Sequence, residues 1–287
     1  MGMIGTVGLV LHPRRDSETA IETILSWATS RGVTVLGLPD EVDRIHCSAI
    51  AVEPDELCKR SDLLVSLGGD GTMLRTMRLI AGLQTPILGV NLGKLGFLAE
   101  IDVDELPEAL SAIDEHRYTV EPRMAVRTRL KDEQEVTAFN DIALVRIPGD
   151  GIAAVAVAVE GHSFVRYAAD AVIMATSTGS TAYSFSAGGP IVSPLVEGFL
   201  VIPAAAHSAF NRAVMLSANE KVTLELLPTS GTLAVEVDGM VMGHLAPGDC
   251  VTVSALPGAA WVVRLGTTTF YERARRKLRV NGSAEVD

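Results

Sequence analysis

Residues 63–74 read LLVSLGGDGTML, an apolar run that ends in a glycine-rich turn carrying one aspartate, Asp70. The apolar run has the length and composition of a buried strand. After the turn, Met73, Met77 and Ile80 recur at the spacing of one helical face. The stretch therefore predicts a strand, a tight turn and the start of a helix. In open α/β sheets, ligands bind at this place, outside the carboxyl ends of the strands.

Strands and helices alternate on both sides of this turn. Strands are predicted at residues 6–12, 33–38 and 86–93, and helices lie between them. The first helix has a candidate cap, Ser17, and is predicted to stop at Gly32. Its predicted buried face consists of Ala20, Ile21, Ile24, Leu25 and Ala28. Strands that alternate with helices indicate an α/β domain with a mostly parallel sheet covered on both faces.

The second half of the chain has a different character. Between residues 119 and 263 there are strand-like runs such as FNDIALVRI, SFVRYAADAVIMAT, CVTVSA and WVVRLG, separated by turn residues. This pattern predicts an all-β, sandwich-like domain. The basic segment YERARRKLRV is predicted to form a helix that packs back on the N-terminal domain, and the tail NGSAEVD is predicted to be disordered. The predicted domains are residues 1–118 and 119–263, followed by the returning segment 264–287.

Composition and charge narrow the class of protein. The 287 residues are 48% hydrophobic and 21% charged, and no apolar run approaches the roughly 18 residues of a membrane span. The positive charges near the N-terminus follow the apolar run, the reverse of a secretory signal. The formal net charge of −11 does not suit nucleic-acid binding, which rests on basic side chains. We therefore expect a cytoplasmic protein with no membrane and no nucleic acid among its partners. The three cysteines form no CxxC pair and are expected to be free thiols.

Asp70 has three interpretations. Glycines let the backbone approach a ligand closely, and the amides and dipole at a helix start favour an anion such as phosphate. A carboxylate beside phosphate needs a hydroxyl or a cation between the two. Asp70 therefore accepts a proton from a hydroxyl that attacks phosphorus, or holds Mg²⁺, or only caps the helix. The turn by itself leaves these alternatives open.

Two more glycine-rich segments are candidates for the same ligand. NLGKLGFLAE, residues 91–100, follows a predicted strand and contributes Lys94; a structural turn is the alternative. Residues 176–186 carry eight hydroxyl side chains beside Gly179, which suits a polyhydroxylated ligand that bears phosphate; a flexible polar loop is the alternative. The sequence has no GxxxxGK[ST], GxGxxG or GxSxG motif.

The segments GGDGT, NLGKLGFLAE, FNDIALVR and TSTGSTAYSFSAGGP, in this order, resemble the bacterial NAD kinase family over most of the chain. GGDGT also occurs in lipid kinases and phosphofructokinases, whereas the hydroxyl-rich segment is particular to NAD kinases. The resemblance implies phosphoryl transfer from ATP, or from inorganic polyphosphate, to the 2′-hydroxyl of the adenosine ribose of NAD, giving NADP. It also implies Mg²⁺ or another divalent cation and a homodimer or homotetramer.

The resemblance also implies roles for particular residues. Asp70 is the general base, and the amides of Gly68, Gly69 and Gly71 lie near phosphate. The residues implied to bind NAD are Gly71, Asn140, Asp141, Asp170, Thr178, Thr181, Ala182, Tyr183, Ser186 and His207. Arg212 and Asp238 match further family positions. A structural histidine is the alternative for His207 and a hairpin turn for Asp238, and no metal ligand is assigned.

Three residues depart from the family pattern. Ala171 stands where glycine is usual, and Ser177 and Ala213 stand where proline is usual. Two other hypotheses therefore remain beside NAD kinase. One is a kinase of the same superfamily that phosphorylates a different hydroxyl, on a nucleotide, a sugar or a lipid. The other is a non-catalytic NAD(P) sensor, against which the presence of Asp70 argues.

Overall fold

The computed structural model describes residues 4–93, 96–266 and 268–280. Contacts divide the chain into two compact units. The first contains the chain up to Pro122 and resumes at Ala260, and the second is Arg123–Ala259. The domain boundaries expected from the sequence, after residues 118 and 263, stay a prediction.

The first unit contains a parallel sheet. Its strands are β1 (Thr6–Leu11), β2 (Thr34–Gly37), β3 (Ile50–Ala51), β4 (Leu63–Gly68), β5 (Pro86–Asn91) and β6 (Ile101–Asp102). The spatial order is β5-β4-β1-β2-β3, every pair is parallel, and β6 pairs with the end of β5. The predicted mostly parallel sheet is confirmed. Because β4 and β5 are parallel neighbours, Gly68 lies opposite Asn91 and their carboxyl ends meet at one edge.

Helices cover this sheet. The helices of the chain are α1 (Glu18–Arg31), α2 (Pro39–Ile45), α3 (Pro54–Arg60), α4 (Asp70–Leu79), α5 (Leu106–Asp114), α6 (Tyr183–Ser186) and α7 (Phe270–Leu278); α6 belongs to the second unit. In α1 the predicted face is buried except for Leu25, which is only partly buried, and Trp27 is buried as well. Gly32 ends α1 with a φ of 68°, a left-handed conformation that favours glycine. Ser17 is at the N-cap, but its hydroxyl makes no capping hydrogen bond.

The second unit is built from two antiparallel sheets. Its strands are β7 (Thr119–Arg129, entering from the first unit), β8 (Glu135–Ala138), β9 (Asp141–Arg146), β10 (Ala153–Val159), β11 (His162–Ala169), β12 (Ala171–Thr176), β13 (Gly198–Ala204), β14 (Val214–Ser217), β15 (Lys221–Leu226), β16 (Leu233–Val237), β17 (Met240–Leu245) and β18 (Cys250–Arg264). One sheet has the order β14-β13-β12-β9-β16-β17; the other contains β11-β10-β15-β18 with β7 and β8. Apolar side chains from both sheets form one core, as the predicted β-rich domain requires.

Three segments differ from the sequence-based prediction. SFVRYAADAVIMAT, expected as one strand, is divided at Asp170 into β11 and β12, which belong to different sheets. CVTVSA and WVVRLG were expected as separate strands, but CVTVSA and the first four residues of WVVRLG both lie in β18, which pairs in parallel with β5 at Trp261 and Val262. The helix expected to follow the GGDG turn begins within it, at Asp70. The tail NGSAEVD lies outside the described residues. Among the helices that the structure describes, none has the length and apolar character needed to cross a membrane.

Candidate functional site

The GGDG turn joins β4 to α4 at the carboxyl edge of the parallel sheet. Gly69 is the N-cap of α4, and Asp70 is the first helical residue. A Cβ on Gly68 would lie 2.1 Å from Thr72 Oγ1, so the start of the helix packs too closely for any side chain there. A Cβ on Gly69 or Gly71 would have no atom of the described residues within 4 Å. The turn therefore leaves room for a ligand beside the helix start, where amides and dipole favour an anion.

The carboxylate of Asp70 is held by the chain segment that follows β5. Phe97 N donates to Oδ1 and Oδ2 at 3.0 Å each, and Leu98 N donates to Oδ1 at 3.0 Å. The Lys277 ammonium, on α7, lies 3.0 Å from Oδ2. A Cβ on Gly96 would lie 2.1 Å from Asp70 Oδ1, which explains a glycine at that position. The bonds described for this carboxylate come from Phe97 N, Leu98 N and Lys277 Nζ and none from an amide of α4, so they do not support the third interpretation of Asp70, as a mere helix cap.

A buried ionic cluster fixes the same segment to the C-terminal part of the chain. The Glu100 side chain is only 1% exposed and accepts bonds from Arg264 Nη1 and Arg273 Nη2, each at 2.7 Å. Leu265 N donates to the other carboxylate oxygen at 2.8 Å. Arg273 is itself buried, and burial lowers the pKa of its guanidinium while Glu100 opposes that change. The cluster ties α7 to the segment that holds Asp70.

In the second unit, three remote pieces of sequence meet around Asn140. Asp238 accepts hydrogen bonds from the amides of Phe139, Asn140 and Asp141, the shortest being 2.7 Å to Asn140 N. A Cβ on Gly179 would lie 2.0 Å from the Asn140 carbonyl oxygen, so the hydroxyl-rich segment approaches as closely as glycine allows. The structure thus brings Asn140, Asp141 and the TGST turn together.

Asp238 and Gly239 form the hairpin turn between β16 and β17. Both have positive φ, 47° and 78°, as two-residue hairpin turns commonly require. The hairpin interpretation of Asp238 is therefore confirmed, and its carboxylate also orders the backbone of residues 139–141.

The hydroxyl-rich segment is ordered against the six-stranded sheet. It forms a 3-10 turn at Thr178–Thr181 and then α6. Thr176 Oγ1 donates to the Phe139 carbonyl at 2.6 Å and accepts from Gly179 N at 2.9 Å. Ser180 Oγ exchanges hydrogen bonds with the backbone of Val192. These bonds exclude the flexible-loop alternative.

Members of this segment differ in exposure. The hydroxyls of Thr178 and Ser184 are buried and have no hydrogen-bond partner in the described structure. Thr181, Ala182 and Tyr183 are partly exposed, and Ser186 is exposed. An unpartnered buried hydroxyl is rare, because leaving one costs about 1–3 kcal/mol. Thr178 and Ser184 are therefore suited to bonds with a bound ligand or water.

Carboxylates give this region a negative potential. Burial, with the charges of Asp238 and Glu236, raises the pKa of Asp141 to about 7. Burial also raises the pKa of Tyr183, and the charges of Glu236, Asp141 and Asp170 add to this effect. Near neutral pH, a large fraction of Asp141 is therefore protonated and able to donate a hydrogen bond.

Comparison with known proteins identifies the family. Residues 7–118 match the profile described as "ATP-NAD kinase N-terminal domain", and residues 139–265 match "ATP-NAD kinase C-terminal domain". The chain belongs to the ATP-NAD kinase family. NAD kinase 1 of Streptomyces avermitilis is 38% identical over 95% of this chain and 86% of its own length.

Solved structures of NAD kinases have the same fold. Yeast NADH kinase in complex with NADH has a TM-score of 0.86 and 26% identity, covering 100% of this chain and 91% of its own. An NAD kinase from Archaeoglobus fulgidus in complex with ATP has a TM-score of 0.74 and 25% identity, covering 96% and 100%. The protein is thus a phosphotransferase of the NAD kinase type.

The other residues that the family resemblance implied for the site each lie in a different local environment. Asp170, just before β12, pairs with the guanidinium of Arg146 on β9. His207 is exposed, and its amide donates to the Ala168 carbonyl at 2.8 Å. Arg212 is also exposed. Lys94 lies outside the described residues.

The departures from the family pattern fall in ordered positions. Ala171 is fully buried in the apolar cluster on the face of the six-stranded sheet that α6 covers. Ser177 is buried, and its hydroxyl is 3.5 Å from the Pro194 carbonyl oxygen. Alanine at position 171 and serine at position 177 are therefore both packed in the folded structure.

Sequence reasoning missed three charged residues close to Asp70: Glu100, Arg273 and Lys277. Glu100 lay within the quoted segment NLGKLGFLAE, but nothing in its spacing shows that it is buried. Arg273 and Lys277 lie in the basic segment that was predicted to pack back. Their spacing of four, on one helical face, was the available signal.

Proposed function

We propose that this NAD kinase transfers the γ-phosphoryl group of ATP to the 2′-hydroxyl of the adenosine ribose of NAD, with Asp70 as the general base. One observation carries the proposal. The carboxylate of Asp70 stands at the glycine turn, between the end of a parallel strand and the start of a helix. It is partly exposed and is fixed by the backbone amides of Phe97 and Leu98. The described residues leave space at Gly69 and Gly71, where an anion would gain from the amides and the helix dipole.

Phosphoryl transfer needs alignment and charge stabilisation more than covalent catalysis by the protein. The ribose hydroxyl is a weak nucleophile until its proton begins to leave. A positioned carboxylate that takes this proton contributes about 10²–10⁴-fold in rate. Since the amides of Phe97 and Leu98 fix the carboxylate of Asp70, that group is already oriented before the reaction begins.

Residues of the second unit are proposed to bind the rest of NAD. Asn140, Asp141 and the turn from Thr178 to Ala182 are held together by Asp238 and the close approach at Gly179. The protonated form of Asp141 donates a hydrogen bond, and the buried hydroxyl of Thr178 has no other partner in the described structure. The full proposed set is Gly71, Asn140, Asp141, Asp170, Thr178, Thr181, Ala182, Tyr183, Ser186 and His207, with Gly68, Gly69 and Gly71 at phosphate.

A divalent cation is proposed to enter with the donor phosphates. Within the described ranges, no three His, Cys, Asp or Glu side chains are grouped to hold a metal ion. Mg²⁺ commonly keeps several waters and is bound largely through substrate phosphates, so the ion fits here without using Asp70, and no protein ligand is assigned to it. When bound, the cation would neutralise charge on the phosphates.

Other properties are proposed on the family resemblance. ATP as donor is supported by the family description and by the ATP complex of the A. fulgidus NAD kinase. Inorganic polyphosphate is the alternative donor, and a homodimer or homotetramer in the cytoplasm is proposed. The yeast NADH kinase complex makes NADH a second acceptor to assay.

The test replaces Asp70 and a matched carboxylate. Asp70→Asn is expected to keep NAD affinity, measured by calorimetry, and to lose about 10²–10⁴-fold in the rate of NADP formation. Asp62→Asn is the control, because Asp62 also accepts two backbone amides, Gly5 N and Thr6 N at 2.9 Å each. It lies just before β4, at the opposite end of that strand from Asp70.

The donor and acceptor are tested with the wild-type enzyme. ATP and polyphosphate are supplied separately at varied Mg²⁺, with NAD, NADH and a panel of other hydroxyl acceptors. Full turnover by Asp70→Asn would remove Asp70 from the role of base. A wild-type enzyme that forms no NADP from NAD with either donor would overturn the proposed reaction.

A further inference from the structure

The surroundings of Asp70 raise a question about access to its oxygens. Each carboxylate oxygen has two favourable acceptor directions. Oδ1 accepts from Phe97 N and Leu98 N, and Oδ2 accepts from Phe97 N and from Lys277 Nζ. The amides belong to the backbone and are fixed. Among the described partners of Asp70, Lys277 is therefore the one that can leave when a substrate hydroxyl binds.

Lys277 is placed so that its helix is fixed while its ammonium remains movable. The helix α7 is held by Arg273, which donates to the buried Glu100, and by Phe270, whose ring lies 6.5 Å from that of Phe97. The Lys277 side chain is 34% exposed, and its ammonium lies 4.5 Å from the centre of the Phe97 ring. An ammonium near an aromatic face keeps a favourable contact when it leaves a carboxylate.

We propose that Lys277 is a catalytic residue whose ammonium exchanges partners during the reaction. Before the acceptor binds, the ammonium of Lys277 neutralises the negative charge of Asp70. It then moves to the phosphoryl group that is being transferred, when the ribose hydroxyl takes its place at Oδ2. This inference rests on the proposed function, since it needs a phosphoryl group close to Asp70.

The exchange is consistent with the balance of bonds and charge. The O–H bond of the ribose breaks, and its proton goes to Asp70. A P–O bond to the ribose oxygen forms as the P–O bond to the leaving ADP breaks. Asp70 loses its negative charge in this step. The ammonium of Lys277, which left Oδ2 when the hydroxyl bound, stays beside the transferred phosphoryl group, and the negative charge of the new phosphate ester remains its partner.

Charge repulsion gives the reason for such a cation. A carboxylate and a phosphate a few ångströms apart repel each other, and the repulsion is stronger in a site partly shielded from water. An ammonium between them offsets this repulsion in the ground state and stabilises the developing charge. A single well-placed donor of this kind is worth on the order of 10²-fold in kcat.

The test uses three variants of α7 in the full-length enzyme. Lys277→Gln is expected to lower kcat about 10²-fold, to raise KM for ATP, and to leave KM for NAD unchanged or lower, because the occupant of Oδ2 is gone. Lys277→Arg keeps a cation and is expected to recover part of kcat. Arg275→Gln removes an exposed positive charge from the same helix, two residues earlier, and is expected to behave as wild type.

A chemical rescue separates catalysis from helix packing. Lys277→Ala is assayed with added ethylammonium, which reaches the partly exposed site and is expected to restore part of kcat in a saturable manner. A residue that only anchored α7 would lower the melting temperature and would not respond to the amine. Melting temperatures of all variants are therefore measured together with kcat.

The outcomes discriminate the two proposals. An unchanged kcat in Lys277→Gln overturns the exchange, as does a loss that neither Lys277→Arg nor ethylammonium relieves. In both cases a wild-type enzyme that makes NADP leaves the proposed function standing. A wild-type enzyme that makes no NADP overturns the proposed function and this inference with it.

Discussion

Replacing Gly96 by alanine is expected to displace the carboxylate of Asp70, the proposed general base, while leaving the chemical identity of that residue unchanged. The backbone at Gly96 is not left-handed, so alanine is allowed there. Its Cβ, however, would lie 2.1 Å from Asp70 Oδ1 and 2.8 Å from Cγ. An ordinary contact begins near 3.4 Å, so the two groups must separate by 3.4 − 2.1, about 1.3 Å. Either the carboxylate or the segment from Gly96 to Leu98 has to move.

The expected effect follows from this displacement. A reacting group that is about 1 Å out of place costs on the order of 10²-fold in rate, and a 10²-fold loss is about 2.7 kcal/mol in the activation free energy. Stability should change less. Asp70 is 28% exposed, so water replaces part of the lost bonds from Phe97 N and Leu98 N. We expect the free energy of unfolding to fall by about 1 kcal/mol.

The assay is steady-state NADP formation with ATP, alongside thermal unfolding. Gly243→Ala is the control, because its Cβ would lie 3.6 Å from the nearest atom, Leu130 Cδ1, an ordinary contact. It is expected to keep full activity. A Gly96→Ala enzyme that retains at least half of the wild-type kcat would refute the reasoning that the carboxylate needs this space.

Two further predictions concern buried charges. Arg273→Met leaves the buried carboxylate of Glu100 with Arg264 as its remaining described ionic partner. The free energy of unfolding, measured by denaturant titration, should therefore fall by about 3 kcal/mol. A loss below about 1 kcal/mol would contradict this prediction. Asp141→Asn should flatten the dependence of stability on pH. The pKa of Asp141 is about 7 in the folded protein and near 3.8 in the unfolded chain, so folding takes up a proton when the pH lies between these two values. The stability of the wild-type protein therefore falls as pH rises from about 4 to about 7. From pH 4 to pH 8 the variant should gain on the order of 3 kcal/mol relative to wild type, and parallel curves for the two proteins would refute the assignment.

The longer strands of the first unit, and the helix α1, were predictable because each carries its own local pattern of apolar residues, whereas the two-residue strands β3 and β6 were not predicted. The run from Leu63 to Gly68 is buried at every position, as a central parallel strand has to be. The strand–helix alternation then fixed a parallel sheet, and the parallel pairing of β4 and β5 puts the GGDG turn beside Asn91.

The errors in the second unit have physical causes. A chain can stay extended while it passes from one sheet to another, so the change at Asp170 leaves no break in the apolar pattern of SFVRYAADAVIMAT. The opposite error occurred in β18. The residues LPG suggest a turn, but β18 continues through them, with Gly258 at a φ of 59°.

The candidate site was only partly accessible to sequence reasoning. Motifs located Asp70, Asn140 and the hydroxyl-rich turn, since glycines and hydroxyls mark places where backbone approaches ligand. The partners of Asp70 are not local in sequence. Lys277 follows it by 207 positions, and no helical or strand period relates the two.

The position of Asp70 depends on the order of the whole C-terminal return of the chain. Its carboxylate is held by amides at residues 97 and 98, and these lie two to three residues before Glu100. Glu100 is fixed in turn by Arg264 and Arg273, from β18 and α7. A carboxylate held only by the GGDG turn would be free to rotate, because none of the bonds described for Asp70 comes from that turn. In the proposed function, the glycines therefore provide the space for a phosphate, and the segment around Gly96, secured by the C-terminal helix, holds in place the carboxylate proposed as the base.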